Sequence, residues 1–506
     1  MNNDRKQGFR ATRRQLLAAT AATTMAGMMA RFGFGSMAHA QMRPAVQTRR
    51  RFVFCYFPAG FDQLLFLDPR DPGVFTEEQR GMTLTDVRYE QLAGSDFRPL
   101  VVRPEVGGMP GNLTFGPAVR KYNGDGTVRG PDIARHADKI AIVRGINMGT
   151  VAHEVGYRYF LTGTFPAGSS ARGSSVATQI AAMLGSTAPI PALSLRVESY
   201  NESMPGRYSA LRVNSLADLQ QVLNRDGAML EHSSVEDALE EYARSERSCE
   251  VNVYDRRGIL TQMREAQGTA QTILRAQLAS KFDFLTDSTD MAVQAERVAL
   301  RQRYGGYLGR SLTAADGGAP GARAALAALA IKSGVAQCVS VVIGDGTDTH
   351  FSNNLDHANR LYPGIASFAA LLDDLASSEV GPGDHGLPVG SRWIEHTTIV
   401  GFSEFSRTPL MNQFGGRDHH ISSSCILAGA GIRGNTVVGE SGRVGMGVGL
   451  WDFQNNRVTD SPEVGRAIMP PDIAATLIDS TNFNYEDHRL DAAIARAQSL
   501  RTIVAR

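Results

Sequence analysis

Six short apolar runs, each bounded by turn residues, set the strongest limit on what this chain can fold into. They are RFVFCYF (51–57), KIAIVRG (139–145), PALSLRV (191–197), CVSVVIG (338–344), TTIVGF (397–402) and SCILAGAG (424–431). Apolar residues stand at successive positions in them, which predicts parallel strands buried on both faces. Helix-period patterns lie between the runs, at 174–184, 215–224, 322–332 and 358–375. Strands separated by helices predict an α/β fold built on a large doubly wound, mainly parallel sheet. A last helix is expected in PPDIAATLIDSTNF, where proline suits the first turn.

The stretch 234–304 is almost continuously helix-compatible and charged. It predicts a helical insertion, about 215–305, within a single domain over 41–506. The Gly-rich polar stretches 103–131 and 432–467 read as long surface excursions.

Charge narrows the partners. Residues 1–40 hold six Lys or Arg and one Asp, so the rest carries 46 basic against 50 acidic residues, a net of −4. Phosphate-driven affinity calls for a basic excess or a clustered basic face, so no nucleic-acid partner is expected. Within 1–40, Arg13 and Arg14 precede Leu16, Leu17 and a short Ala/Thr-rich run that ends in Ala38-His39-Ala40. The pattern resembles a twin-arginine export signal with a small-x-small cleavage site. A basic amphipathic helix retained on the mature chain is the alternative. The export reading implies the twin-arginine machinery as a partner, a periplasmic or extracellular location, and a mature chain starting near Gln41. No segment after the leader offers the roughly 20 apolar residues of a membrane span. Cys55, Cys249, Cys338 and Cys425 have no CxxC spacing, and three of them stand in strand-like runs as expected buried thiols.

Ligands of open α/β sheets gather beyond the carboxyl ends of the strands. Four run ends there carry chemistry: PAGFDQ with Asp62; INMGTVAHEVGYR with Thr150, His153 and Arg158; DGTDTH with Asp345, Asp348 and His350; SEFSR with Glu404 and Arg407. In DTH, Asp348 and His350 are two apart and share a side of an extended segment, which suits a divalent ion. A turn capped by Asp348 competes with that reading. GGRDHH offers Gly415 and Gly416 for a close backbone approach, then Asp418, His419 and His420. Adjacent strand residues face opposite ways, so one His is expected in the site. We assign it as His419, with Asp418 as second ligand or orienter. Glu404, at the end of a buried run, needs a cation or an ion pair with Arg407. Arg407 and Arg417 suit bidentate anion binding. His153 falls short of a HExxH signature because Tyr157 stands at the second His position. Thr150 is either a hydroxyl nucleophile or a helix cap.

Together, the leader, DTH, SEFSRTP, GGRDHH and AGAGIRGNTVVGES resemble the bacterial family catalogued as domain of unknown function 1501, over about 51–484. That family is placed in the alkaline phosphatase and sulfatase superfamily. The resemblance therefore implies an alkaline phosphatase-like sheet and metal-dependent hydrolysis of a phosphate or sulfate ester. It further implies Asp62, Asp348, His350, Glu404 and His419 as ligands of a divalent Zn, Mn or Ca ion, to which the reading of GGRDHH adds Asp418. The HEVGYRYFLTG stretch is similar to a sulfatase nucleophile helix, with Thr150 or His153 at the reacting position. Arg407, Arg158 and Arg417 would neutralise an anionic small-molecule or polymeric ester. Phe405 stands where active relatives keep a His, and Ser406 replaces the Gly of the family's SEFGR. These departures favour one ion over two, and leave a non-catalytic exported binding or assembly protein as the alternative.

Overall fold

All six apolar runs are strands of one eight-stranded sheet. The computed structural model describes residues 49–186, 188–223, 278–382, 387–482 and 490–505. The expected leader, Cys249 and 224–277 of the expected insertion lie outside them. In chain order the strands are β1 (Arg51–Tyr56), β2 (Ile140–Asn147), β3 (Ile190–Leu195), β4 (Leu211–Val213), β5 (Ala336–Val342) and β6 (Thr397–Phe402). A two-stranded ribbon follows, β7 (Ser406–Arg407) with β8 (His419–His420), and then β9 (Ser422–Gly429) and β10 (Thr436–Val438). The sheet order is β10-β2-β9-β6-β1-β5-β3-β4.

One direction departs from the sequence expectation. β9 is antiparallel to both neighbours, β6 and β2, while every other pairing in the sheet is parallel. The reason is chain economy. A parallel return needs a crossover of a dozen or more residues, usually a helix. The residues between β6 and β9 are instead spent on the ribbon at the carboxyl rim, so the chain re-enters the sheet from the end it left. The short edge strands β4 and β10 had no apolar run long enough to announce them.

Helices cover both faces: α1 (His153–Thr162), α2 (Val176–Met183), α3 (Leu216–Leu223), α4 (Met291–Gly305), α5 (Pro320–Lys332), α6 (Asn354–Ser377) and α7 (Pro470–Asp479). Side chains alternate across a strand. In β1, Val53 and Cys55 therefore join a core with Ile365, Phe368 and Leu372 of α6. Phe52, Phe54 and Tyr56 join the opposite core with Phe160, Ile180 and Leu477. Pro320 and Pro470 open α5 and α7, as first-turn prolines do. Cys55, Cys338 and Cys425 are buried free thiols. Among the described residues, no helix is long and apolar enough to cross a membrane.

Two contacts fix α1, which carries His153, against the sheet. Phe160 stacks on Phe402 of β6 with ring centroids 4.2 Å apart. Gly156 faces the Glu404 backbone so closely that an added Cβ would lie 2.3 Å from its carbonyl oxygen. Gly163, at φ +68°, ends the helix as a left-handed cap.

Candidate metal centre

The DTH loop leaves β5 and is held down where Thr347 donates its hydroxyl to the Pro58 carbonyl at 3.1 Å. Its residues alternate as an extended segment should. Thr349 turns inward to His357, with Oγ1 and Nδ1 2.5 Å apart. Asp348 and His350 face the rim together, Oδ1 to Nε2 at 3.0 Å. Gly416 makes the approach its sequence predicted: a Cβ there would lie 2.2 Å from the His350 carbonyl oxygen. Gly415 takes φ +80° with open space around it, so its role is the turn. In the ribbon, Arg407 pairs with His419. His419 faces the rim, and the Nδ1 of His420 accepts from the Ser422 N–H at 3.3 Å.

Three imidazoles converge on one carboxylate oxygen. The Nε2 atoms of His350, His419 and His153 lie 3.0, 3.4 and 3.8 Å from Asp348 Oδ1. His350 Nε2 and His419 Nε2 are 2.9 Å apart. Each ring is oriented from behind through Nδ1: His153 by Glu404 Oε1 at 2.6 Å, His350 by Asp418 Oδ1 at 2.7 Å, and His419 by the Val151 carbonyl at 2.7 Å. Those partners only accept, so Nδ1 carries the proton and a neutral ring turns its Nε2 lone pair toward Asp348. Burial, opposed by the Val151 contact and assisted by nearby Arg407 and His153, holds the His419 pKa below its ordinary value.

Lone pairs facing one another and a carboxylate repel, so a proton or a cation has to sit among them. A divalent ion with ligand bonds of about 2.0–2.2 Å sets neighbouring ligand atoms about 2.9–3.5 Å apart. Most of the observed separations fall in that range. Among the described residues, His153, Asp348 and His419 form a group whose ligand atoms lie within 4.8 Å of one another. His350 is not part of that group, although its Nε2 lies 3.0 Å from Asp348 Oδ1 and 2.9 Å from His419 Nε2.

The other predicted residues stand behind this group or away from it. Glu404 is buried and both its oxygens are engaged, Oε1 also by the Ala59 N–H at 2.8 Å and Oε2 by the Ser403 hydroxyl at 2.8 Å. It orients His153. Asp418 likewise orients His350 and is itself held by the Asn412 amide at 3.0 Å. Arg407 is fully buried, donates from Nη2 to Asp348 Oδ1 at 2.8 Å and from Nε to the Gly60 carbonyl at 2.9 Å, and also reaches the Ala59 carbonyl. Burial would raise the Asp348 carboxyl, but Arg407 and the neighbouring histidines hold it below its usual range. Phe405 forms the floor, its ring centroid 4.7 Å from His153 and 4.4 Å from His419.

Asp62 lies outside the cluster. It is buried and paired with Arg417, Oδ2 to Nε at 2.9 Å, while Oδ1 accepts from the Leu64 N–H at 2.8 Å. Arg417 also donates to the Thr408 carbonyl at 3.0 Å and to the carbonyls of Pro409 and Asp86. Arg158 grips Glu198 through two bonds of 2.9 and 3.0 Å and donates to Tyr200 at 3.1 Å. All three predicted anion-binding guanidinium groups are thus committed within the fold. Thr150 Oγ1 accepts from the Ala152 N–H at 3.0 Å, which makes a local turn and not the expected helix cap, because Ala152 is the N-cap residue of α1.

Sequence reasoning missed His357, Asn412 and the Val151 carbonyl. His357 takes the Asp62 N–H on Nε2 at 2.9 Å, and burial with Arg407 and Arg417 nearby holds it neutral. Its sequence signal was slight, a His three residues into a helix. A backbone carbonyl gives none.

A family model described as protein of unknown function (DUF1501) matches residues 126–457. No curated protein matches the chain.

Proposed function

The chain belongs to the DUF1501 family, and we propose that this member is an exported hydrolase of phosphate or sulfate esters that works with one divalent ion. His153, Asp348, His350 and His419 would hold the ion, with zinc or manganese favoured over calcium by a donor set rich in imidazole. The observation that carries this reading is the common arrangement of the three rings, each anchored at Nδ1 and aimed by Nε2 at Asp348 Oδ1. When bound, such an ion supplies Lewis acidity to the ester and offsets charge that develops on it.

The chain's own groups do the rest. Glu404 and Asp418 hold protons on the Nδ1 atoms of His153 and His350, which fixes the tautomer and the direction of each Nε2. Arg407 pins Asp348 from below. Phe405 keeps water from the underside. With Arg158, Arg407 and Arg417 committed elsewhere, anion neutralisation falls to the ion itself. In the reaction, water oxygen bonds to phosphorus or sulfur, the ester P–O or S–O bond breaks, and the alcohol leaves with a proton.

The commitment of those three guanidinium groups favours a second reading, a binding or assembly protein that keeps the same centre without turnover. Metal content and hydrolysis of 4-nitrophenyl phosphate and sulfate separate the two. The hydrolase reading expects about one zinc or manganese per chain, turnover dependent on it, and loss of both in His419→Ala. Stoichiometric metal with no turnover on either ester supports the second reading, and a metal-free protein indifferent to added ions overturns both.

A further inference from the structure

Beside the imidazole cluster lies an open groove of about 490 Å³, lined by His350, Phe351, Asn412, Gln413, Phe414 and Asp418. Phe351 is 74% exposed and Phe414 58%. Their ring centroids are 5.1 Å apart and their planes are inclined at 55°. A lone exposed phenylalanine needs no explanation, but two meeting over a groove form a surface that favours an apolar occupant.

The groove is continuous with the candidate centre, because His350 and Asp418 belong to both. Phe351 directly follows His350 in the chain. The Phe414 N–H donates to Asn412 Oδ1 at 3.0 Å, and the Asn412 amide nitrogen donates to the His350 carbonyl at 2.9 Å and to Asp418. The two rings therefore lie next to whatever binds at the imidazoles. Asn412 Oδ1 also accepts from the Gly416 N–H at 3.1 Å, so its side chain is spent within the loop. Gln413 is the other side-chain amide of the lining. A hydroxyl-rich sugar would find little to pair with there, whereas a planar ring finds two aromatic faces and edges.

We propose that the Phe351–Phe414 groove is the leaving-group subsite for an aromatic ring, which makes aryl monoesters of phosphate or sulfate the substrate class. The inference rests on the hydrolase reading above. In the reaction a water oxygen bonds to phosphorus or sulfur, the P–O or S–O bond to the aryl oxygen breaks while the aryl C–O bond is kept, and the phenol leaves with a proton from the water.

The test compares phenylphosphonate with methylphosphonate by calorimetry on the zinc-loaded full chain. We expect phenylphosphonate to bind at least tenfold more tightly, and the preference to fall to near one in a Phe351→Ala/Phe414→Ala double variant with methylphosphonate affinity unchanged. Both positions are exposed, so the variant is expected to fold. Saturation-transfer NMR with benzyl alcohol on the zinc-free chain probes the rings without the ion, and transfer is expected in the parent and not in the double variant. Failure of both phosphonates to bind would count against the hydrolase reading alone, since benzyl alcohol still decides the subsite. Equal affinities for the two phosphonates, or a preference or transfer that survives loss of both rings, would overturn it.

Discussion

Glu404 Oε1 lies 2.6 Å from His153 Nδ1, joining residues 251 positions apart through a carboxylate that is almost fully buried. In the proposed centre Glu404 would therefore act on an ion through His153 and not by touching it. Glu404→Gln preserves shape but removes the charge that fixes the ring. Such partners of ligating histidines are typically worth roughly 10–100-fold in metal affinity. We expect a loss of that size in zinc competition against a chelator, with the circular dichroism spectrum unchanged.

Gly156→Ala tests the same wall from the helix side. The new methyl meets the Glu404 carbonyl, and neither backbone can yield cheaply. Overpacking of this kind costs about 1–3 kcal/mol. Urea unfolding should show that loss, and zinc affinity should fall with it because α1 carries His153.

Asp62→Asn separates a fold role from a ligand role. Both members of the Asp62–Arg417 pair are buried, so neutralising one strands the other. Removing one partner of a buried pair costs about 3–5 kcal/mol. The expected result is a lower unfolding midpoint with zinc affinity of the folded protein unchanged. A loss of zinc affinity in a stably folded variant would restore Asp62 to the ligand set.

Asp374 predicts an acid-sensitive joint away from the site. It is buried near the end of α6 and accepts from Lys332 at 2.7 Å, Tyr304 at 3.0 Å and Ser378 at 2.9 Å, with Arg303 also bonded. Burial alone would raise its carboxyl, but Lys332, Arg303 and Ser378 outweigh burial and leave it below the usual range. A depressed carboxylate pKa means the folded state binds the proton less readily than the unfolded chain. Its stabilisation is therefore present above the unfolded value of about 4 and is lost as pH falls through the folded value. Unfolding free energies measured from pH 6 to pH 3 should drop in the parent, and less steeply in Asp374→Asn, which should be less stable throughout.

The strands were legible because burial on both faces writes continuous apolar runs. Direction was not, since the run at 424–431 contains nothing that names its neighbours, and only the ribbon before it forces β9 to return antiparallel. At the rim, the shared side of Asp348 and His350, and the limit of one His from the pair His419 and His420, followed from strand alternation, whereas the choice of His419 between the two did not. Asp62 and Glu404 looked equally fit as ligands because a sequence shows a carboxylate but not its partner. Arg417 and His153 reach them across 355 and 251 positions. The Val151 carbonyl that orients His419 belongs to the backbone, which any residue would supply.

The reversed strand also keeps one wall of the site together in the chain. Because β6, the ribbon and β9 follow one another without a crossover, Glu404, Arg407 and His419 sit on the single connection 403–421. That wall is local in sequence, whereas Asp348, His350 and His153 are supplied by remote parts of the chain. The proposed donors meet solely in a finished molecule, so capture of an ion would report that folding is complete.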